Sequence, residues 1–263
     1  MGILNVTPDS FSDGGQYFDS ALAVKRAQEM VEEGADIIDV GGESTRPGSE
    51  PVPLEEEISR TIPVIEALAK DIKVPISIDT YKAGVAKRAM DAGASIVNDI
   101  SGLRFDPEMP KVVSQYKVPV IIMHIKGTPK NMQANPVYEA LIPEIMDYLR
   151  ESIRLAVESG IAEDKIIIDP GIGFGKTFDH NLEIIKNLRE FTLLEKPLLA
   201  GVSRKAFIGK ILGDAPASER LEGTAAAVAI SILNGANIIR VHDVKEMKKV
   251  ALVSDAVKRG RVG

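Results

Sequence analysis

Eight short apolar segments rich in β-branched residues run through the sequence, and nearly every one stops at a polar or charged residue. The predicted strands cover residues 3–6, 36–40, 75–79, 95–99, 118–124, 166–169, 198–202 and 238–241. The residues at or just after their ends are Asn5, Gly42, Glu43, Asp79, Asn98, Asp99, His124, Asp169, Ser203, Arg240 and His242. Because parallel strands all end on one side of a sheet, the sequence predicts a single pocket that carries carboxylates, amides and cations.

Amphipathic helical stretches separate these segments. They cover residues 20–33, 54–70, 81–92, 107–116, 139–159, 181–190, 219–234 and 244–259. Strands that alternate with helices are typical of repeated βα units, and continuously apolar strands indicate a sheet covered on both faces. We therefore expect an α/β fold, a single (β/α)8 TIM barrel over residues 1–263, with its active site at the C-terminal ends of the strands.

Composition excludes several classes of function. The net charge is −6 without a basic block, so neither nucleic acid nor a membrane surface is an expected partner. The absence of cysteine excludes disulfides, thiolate metal sites and a cysteine nucleophile. With three histidines and no His-x-His pair after the first strand, a tri-histidine zinc centre is not expected. No charged leader or long apolar run is present, so we expect a soluble cytoplasmic protein that acts on small molecules.

A glycine-rich segment at residues 171–177 resembles a nucleotide-binding loop but does not match one. A P-loop needs glycine at the position of Pro170, and a dinucleotide fingerprint needs glycine at the position of Lys176. We interpret the segment as a loop that lets the backbone approach a flat ligand beside Asp169.

Three predicted strand ends carry oxygen-rich side chains, Asp79, Asn98 and Asp169. A carboxylate accepts two parallel N–H bonds from an amino-amidine edge, and an amide offers both a donor and an acceptor. Such a trio at one barrel mouth suits a pterin or a guanine-like ring. The neighbouring Asp99 and Thr80 are better interpreted as caps of the helices that follow.

Cationic side chains follow the last two predicted strands, namely Arg204, Lys205, Arg240 and His242. The corresponding loops hold phosphate in many barrels, so an anionic leaving group would find its countercharge here. A solvated basic rim explains Arg204 equally well. The sequence favours a hard cation such as Mg2+ for any metal, held by few protein oxygens together with a diphosphate and water, and Asn5 is the candidate ligand.

The stretch at residues 224–233 is apolar nearly all round a helix, which requires burial on more than one side. Packing within the barrel shell would satisfy this requirement. A homodimer interface would also satisfy it, and we prefer this interpretation slightly.

Motifs along the whole chain carry a resemblance to a known family. In order they are MGILNVTPDSFSDGG at 1–15, GGESTRPG at 41–48, ISIDT at 76–80, IVNDISG at 96–102, MHIKGTPKNMQ at 123–133, DPGIGFGK at 169–176, GVSRK at 201–205 and RVHDV at 240–244. Together they resemble the dihydropteroate synthase family of folate biosynthesis. The resemblance implies a transferase that joins 6-hydroxymethyl-7,8-dihydropterin diphosphate to para-aminobenzoate, releases diphosphate and is a target of sulfonamides.

The resemblance also implies roles for individual residues. The implied pterin site contains Asp79, Asn98, Met123, Asp169, Phe174 and Lys205. The implied diphosphate site contains Asn5, Thr45, Arg240 and His242, with Asn5 as the ligand of Mg2+. The implied para-aminobenzoate site contains Phe11, Asp13, Thr45, Arg46, Pro47, Ser203 and Phe207. The catalytic roles fall to Asp79, Lys205, Arg240 and His242.

The chemistry of these groups predicts an SN1-like displacement. Cleavage of the C–O bond leaves a cation beside the ring and a diphosphate anion opposite, and preorganised charges typically contribute about 3 kcal/mol apiece to such a transition state. The aromatic amine is neutral at about pH 7 and needs little activation. Closure of the loops at residues 7–19 and 43–53 is expected to follow pterin binding and to create the para-aminobenzoate pocket.

Three other functions stay open on the sequence alone. A pterin-binding methyltransferase would share the ring site but would use a cobalt cofactor partner. An aldolase would use Lys205 as a Schiff-base lysine. A non-catalytic pterin carrier would bind the ring without releasing diphosphate.

Overall fold

A computed structural model describes residues 1–7 and 16–262 of the chain, with side chains from residue 20 onward in the second range. Within these residues, eight strands alternate with nine α-helices. The strands are β1 Gly2–Asn5, β2 Ile38–Gly41, β3 Ile76–Asp79, β4 Ile96–Asp99, β5 Val120–Met123, β6 Ile166–Asp169, β7 Leu199–Ala200 and β8 Ile238–Ile239. The helices are α1 Gln16–Glu32, α2 Leu54–Asp71, α3 Ala83–Ala92, α4 Met109–Tyr116, α5 Leu141–Glu158, α6 Phe178–Lys186, α7 Ala206–Ile211, α8 Leu221–Leu233 and α9 Val244–Arg259.

The strands close into a ring. Parallel pairing runs without interruption from β1 to β6, and β7 pairs with β8. Two parallel bridges join these groups, Ile168 with Leu198 and Gly2 with Val241. The amide of Ile3 also donates to the carbonyl of Val241 over 2.9 Å. Every strand therefore has a neighbour on each side, and the predicted (β/α)8 barrel is confirmed.

Two apolar layers explain why the strands are apolar along their whole length. Inside the lower part of the barrel, alternate strand residues pack together with Met1: Ile37, Ile96, Ile121, Ile167, Leu199 and Ile238. The opposite faces of the strands pack against the helices in a single large cluster that extends from Leu4 to Met247. Strand side chains that point inward at the upper end of the barrel are consequently free of the packing core and form the site.

The helical shell differs from the prediction after strand β7. The segment between the predicted strand at 198–202 and the predicted helix at 219–234 contains the short helix α7. A 3-10 turn, Ala217–Glu219, comes before α8. Six residues are too few to show a helical period in the sequence. Among the helices of the described ranges, none is long and apolar enough to cross a membrane.

Glycines in the left-handed conformation follow several helices. Gly34, Gly93 and Gly235 adopt φ values of +100°, +111° and +115°. At Gly93 a Cβ atom would also lie 2.6 Å from the Cβ of Ala69, so the turn into β4 tolerates no side chain.

Candidate active site

The pairing register brings the predicted ring-binding residues to one level of the barrel. Asn5 pairs with Gly41, Gly41 with Asp79, and Asp79 with Asn98 on four adjacent strands. On the other side of the barrel, Met123 pairs with Asp169. The inward side chains of these residues therefore surround the upper end of the barrel axis.

Arg240 links this level to the strand that closes the barrel. Its Nε donates to Asp39 Oδ2 and its Nη2 donates to Asp79 Oδ2, each over 2.6 Å. Asn98 Nδ2 donates to the same oxygen of Asp39 over 3.1 Å. Two carboxylates and one guanidinium leave the cluster with a net negative charge when both acids are ionised. Burial lowers the pKa of Arg240, but the charges of Asp39 and Asp79 outweigh burial and raise this pKa above its ordinary value.

The carboxyl group of Asp79 is poised to change charge near neutral pH. Burial raises its pKa to about 7, against the opposing charge of Arg240 and with the help of the Asp39 carboxylate. Its Oδ1 is buried and has no hydrogen-bond partner within the described residues, and the same holds for Asp39 Oδ1 and Ser77 Oγ. Buried oxygens without a donor are costly, so a ligand edge that brings N–H groups to Asp79 would be bound strongly.

Asp169 and Lys205 form the second half of this surface. Asp169 Oδ1 accepts the backbone N–H of Gly171 over 2.7 Å, and Lys205 Nζ lies 4.4 Å from the ring centre of Phe174. Burial and the charge of Arg240 lower the pKa of Lys205 to about 8, while Asp169 and Asp79 counteract the decrease. Burial raises the pKa of Asp169. Acceptors, an ammonium donor and an aromatic face are thus available together to a flat heterocycle.

The glycine-rich loop after β6 turns tightly beside Asp169, and its approach to a flat ligand stays a prediction. A Cβ atom on Gly171 would lie 1.9 Å from the carbonyl oxygen of His124, and φ is +69° at this position. Only glycine lets the chain turn here and direct its N–H at Asp169.

His242 lies beside Ser203. The hydroxyl oxygen of Ser203 accepts the backbone N–H of His242 over 3.2 Å and lies 3.0 Å from His242 Nδ1. Burial and the charge of Arg240 lower the pKa of His242 to about 4, so its imidazole is neutral at pH 7. The sequence-based expectation of a cationic His242 therefore differs from the structure, because a buried site among other cations disfavours a further positive charge. His242 offers a hydrogen bond to an anion instead.

Arg204 points away from this centre. It makes an ion pair with Asp243 through two of its nitrogens, and its backbone has φ +55°. The interpretation of Arg204 as a rim residue agrees with this geometry.

The residues predicted for para-aminobenzoate are only partly brought together. Thr45, Arg46 and Pro47 lie in the segment between β2 and α2, with Arg46 and Pro47 exposed. Phe207 is 4% exposed and belongs to the main apolar cluster, so packing accounts for it without a ligand. Phe11 and Asp13 lie outside the described residues. The para-aminobenzoate site stays a prediction.

Two predicted strand ends do not face the pocket. His124 follows the inward-facing Met123, points into the helical shell and lies 4.7 Å from Tyr148, ring centre to ring centre. Asp99 accepts the N–H groups of Ser101 and Leu103 in the turn after β4, whereas helix α4 begins later, after Glu108, so the prediction that Asp99 caps the helix is wrong. Side chains alternate along a strand, so adjacent polar residues cannot both face inward.

Sequence reasoning missed Asp39, which is fully buried at the centre of the Arg240 cluster. The available signal is a carboxylate inside an otherwise apolar strand, two positions before the inward-facing Gly41. It also missed the buried pair of His124 Nδ1 with Lys176 Nζ at 2.9 Å, where burial lowers the pKa of both residues, that of His124 to about 2.

Asn5 fits the role of a ligand for a hard metal ion. Its Oδ1 and the Oδ2 of Asp79 lie 3.9 and 3.6 Å from the point where a Cβ on Gly41 would stand, so both oxygens face the same region of the barrel mouth. Within the described residues, no group of three or more histidine, aspartate or glutamate side chains could hold a metal. A single amide oxygen suits Mg2+, which keeps several waters and shares its coordination with substrate phosphates.

Comparison with known proteins agrees with this chemistry. Residues 1–242 match the family of pterin binding enzymes. A dihydropteroate synthase from Synechocystis sp. is 50% identical over 259 residues, which cover 98% of this chain and 90% of that protein. The dihydropteroate synthase of Yersinia pestis in complex with a sulfonamide drug superimposes with a TM-score of 0.93 at 44% identity, covering 98% of this chain and 94% of the other. The dihydropteroate synthase of Xanthomonas albilineans with 4-aminobenzoic acid superimposes with a TM-score of 0.92 at 42% identity, covering 98% of this chain and 92% of the other.

Proposed function

The chain belongs to the dihydropteroate synthase family of pterin binding enzymes, and on that premise we propose that it condenses 6-hydroxymethyl-7,8-dihydropterin diphosphate with para-aminobenzoate. The products are 7,8-dihydropteroate and diphosphate, and the reaction belongs to folate biosynthesis. One observation carries the proposal for this chain: Asp79, a ring-binding carboxyl, is hydrogen-bonded to Arg240, a cation for the leaving group.

The pterin occupies the surface formed by Asp79, Asn98, Asp169 and Lys205. The acidic residues accept N–H groups of the ring, and Lys205 donates to its carbonyl side. Met123 is 4% exposed and packs in one apolar cluster with Phe174, which supports a wall beside the ring. This arrangement excludes water from one side of the reacting methylene group.

The displacement is SN1-like. The C–O bond breaks with its electron pair moving to the diphosphate, and the positive charge that remains is delocalised over the pterin beside the Asp79 carboxylate. Arg240 and the neutral His242 donate hydrogen bonds to the departing anion. Para-aminobenzoate then forms the C–N bond through its neutral amine and loses a proton. Preorganised donors of this kind contribute about 3 kcal/mol each.

Mg2+ is part of the proposal, with Asn5 as its protein ligand. When bound, the ion neutralises charge on the diphosphate. The diphosphate site further includes Thr45, and its position after β2 is compatible with this role.

Para-aminobenzoate binds under the loop that contains Thr45, Arg46 and Pro47, with the Ser203 hydroxyl directed at its carboxylate. Phe207, Phe11 and Asp13 are the remaining proposed contacts. Para-aminobenzoate binds after the pterin, because closure of the loops at residues 7–19 and 43–53 on the bound pterin is proposed to complete the pocket. Sulfonamides compete with para-aminobenzoate at this site. Calorimetry that shows tight binding of para-aminobenzoate without pterin diphosphate or diphosphate would refute this order.

We propose in addition that the protein is a cytoplasmic homodimer. Helix α8 exposes Ile230 and Leu233, and the neighbouring helix α9 exposes Leu252, Val253 and Val257. An apolar surface of this kind is typical of an interface between subunits. Sedimentation that shows only a 28.4 kDa species at micromolar concentration would contradict the dimer.

One assay tests the proposed reaction. Diphosphate release from dihydropterin diphosphate should require para-aminobenzoate and should yield dihydropteroate in equal amount. Release that is independent of para-aminobenzoate would contradict it. Methyl transfer from methyltetrahydrofolate, or a borohydride-trapped carbonyl adduct on Lys205, would support the methyltransferase or the aldolase instead.

A further inference from the structure

A buried polar cluster lies beside the pocket, at the start of the segment of residues 44–52. Glu43 follows the end of β2, and its side chain accepts three hydrogen bonds. Tyr81 OH donates to Oε1 over 2.6 Å, the amide of Val52 donates to Oε2 over 3.0 Å, and Lys82 Nζ also donates to Oε2. The side chain of Glu43 is only 6% exposed. We call Glu43, Tyr81 and Lys82 the clasp.

The clasp closes the segment at both ends. The bond from Val52 spans nine positions, so it joins the last residue of the segment to Glu43, the residue that precedes the segment. Before Glu43, Arg60 donates to the carbonyl of Gly42 over 2.8 Å, and a Cβ on Gly42 would lie 2.7 Å from Thr61 Cγ2. The backbone that leads into the segment is therefore fixed against helix α2.

Lys82 anchors the clasp in the fold. Its Nζ donates to Glu57 Oε2 in the first turn of α2 over 2.5 Å, and Glu57 is 1% exposed. Burial raises the pKa of Glu57, and the hydrogen bond from Lys82 lowers it. Hydrogen bonds to a charged group are among the stronger ones in proteins, and burial shields them from water and salt. The clasp is thus stronger than the exposed ion pair of Lys130 with Glu50 at the tip of the segment.

Tyr81 connects the clasp to the wall of the pocket. Its ring packs in the apolar cluster that contains Met123 and Phe174, while its hydroxyl reaches Glu43. Tyr81 and Lys82 also follow Asp79 by two and three residues. The last residue of β3 therefore carries the carboxyl proposed to bind the pterin, and the short turn that follows carries the two donors that hold the segment of residues 44–52.

We propose that Glu43, Tyr81 and Lys82 are positioning residues that hold Thr45, Arg46 and Pro47 over the barrel mouth, and so determine the affinity for para-aminobenzoate. The inference rests on the proposed function, which places para-aminobenzoate under this segment. In this proposal the clasp acts through the segment and not through contact with either substrate.

The test compares Glu43→Gln and Tyr81→Phe with the wild-type enzyme. Both variants keep the shape of the side chain and leave the ion pair of Lys82 with Glu57 intact. The KM for para-aminobenzoate should rise about tenfold in Glu43→Gln and about threefold in Tyr81→Phe, because one or more buried hydrogen bonds of the segment are lost. The kcat and the dissociation constant of dihydropterin diphosphate should stay within about twofold. Glu55→Gln, an exposed change in the first turn of α2, is the matched control and should leave all three quantities unchanged.

A merely structural role would reduce the folded fraction and thus kcat, without changing KM. Amide hydrogen exchange of residues 44–52 should become faster in Glu43→Gln, while that of helix α2 should not. If Glu43→Gln does not fold, the KM for para-aminobenzoate of Tyr81→Phe alone tests the proposal, because this variant retains the aromatic ring and its packing. An unchanged KM for para-aminobenzoate in the folded variants would overturn the proposal.

Two further measurements separate this outcome from failure of the proposed function. A KM that rises in Arg46→Ala but not in the clasp variants would refute the clasp and leave the site assignment intact. Absence of para-aminobenzoate-dependent diphosphate release in the wild-type enzyme would refute the proposed function itself.

Discussion

Arg240 Nη2 donates a hydrogen bond to Asp79 Oδ2 over 2.6 Å, across 161 positions of sequence. Asp39 accepts from Nε of the same guanidinium. A cation suited to a departing anion and a carboxyl suited to a heterocycle therefore share one hydrogen-bond cluster. The excess of carboxylate over guanidinium charge in this cluster has measurable consequences for stability and for activity.

The first prediction is that Asp79→Asn stabilises the protein while it reduces activity. The pKa of Asp79 is about 7 in the folded state against an ordinary value of 3.8. Between these values the folded state binds a proton that the unfolded state has lost, so wild-type stability decreases as pH rises from about 4 to about 7. The variant has no ionisable group at this position, so it does not lose stability in this way as the pH rises. At pH 8 it should be more stable by on the order of 2–4 kcal/mol, since one pKa unit corresponds to about 1.4 kcal/mol.

Urea unfolding at several pH values measures this difference. The stabilities of the variant and the wild type should converge below about pH 3, where Asp79 is protonated in both the folded and the unfolded state. A variant that is less stable than the wild type at pH 8 would show that the pairing with Arg240 outweighs the desolvation of Asp79.

The second prediction concerns Asp39, which accepts from Arg240 and from Asn98 through one oxygen. Asp39→Asn places an amide among these donors and should cost about 1–3 kcal/mol of stability together with a loss of kcat. Ser77→Ala is the control, because Ser77 pairs with Asp39 in the sheet and its buried hydroxyl has no partner in the described structure. The control should change the free energy of unfolding by less than about 0.5 kcal/mol. Equal effects of both substitutions would contradict the account.

The third prediction separates the cost of a positive φ from the cost of a steric clash, by comparing a glycine of the glycine-rich loop with one that lies after helix α7. Gly171→Ala adds a Cβ 1.9 Å from the carbonyl oxygen of His124, whereas Gly213→Ala meets nothing within 4 Å, and both positions have positive φ. Gly213→Ala should cost about 1–2 kcal/mol and leave the pterin affinity unchanged. Gly171→Ala should cost more and weaken pterin binding about tenfold, because Asp169 loses its N–H donor. Calorimetric titration with dihydropterin diphosphate checks this, and equal affinities would contradict it.

The sequence predicts the barrel and most of its mouth because both depend on short-range patterns. Apolar runs and polar strand ends recur from one βα unit to the next, and the register then places Asp79 beside Asn98 without further information. It is harder to predict whether a residue at the end of a strand faces the inside of the barrel or the helices. His124 and Asn98 both end predicted strands, yet only Asn98 faces inward, because the end of a strand cannot be located to within one residue from composition.

Long-range polar contacts are the part that the sequence does not predict. Asp39 lies within an apolar run and meets Arg240 201 positions later, and Glu43 meets Lys82 39 positions later. The first pairing depends on the closure of the barrel and the second on the parallel pairing of β2 with β3, and neither follows from a local pattern. The charge of His242 is also a property of its surroundings, since a neutral imidazole results from burial beside Arg240.

The central claim is that ring recognition and diphosphate binding lie side by side but on different residues. Calorimetric titration measures the affinities of the variants Asp169→Asn and His242→Ala. Each variant is titrated with 6-hydroxymethyl-7,8-dihydropterin and, separately, with diphosphate and Mg2+. Asp169→Asn should weaken pterin binding about tenfold and leave diphosphate binding unchanged, and His242→Ala should do the reverse. Equal loss of both ligands in both variants would contradict the division of the site on which the account depends.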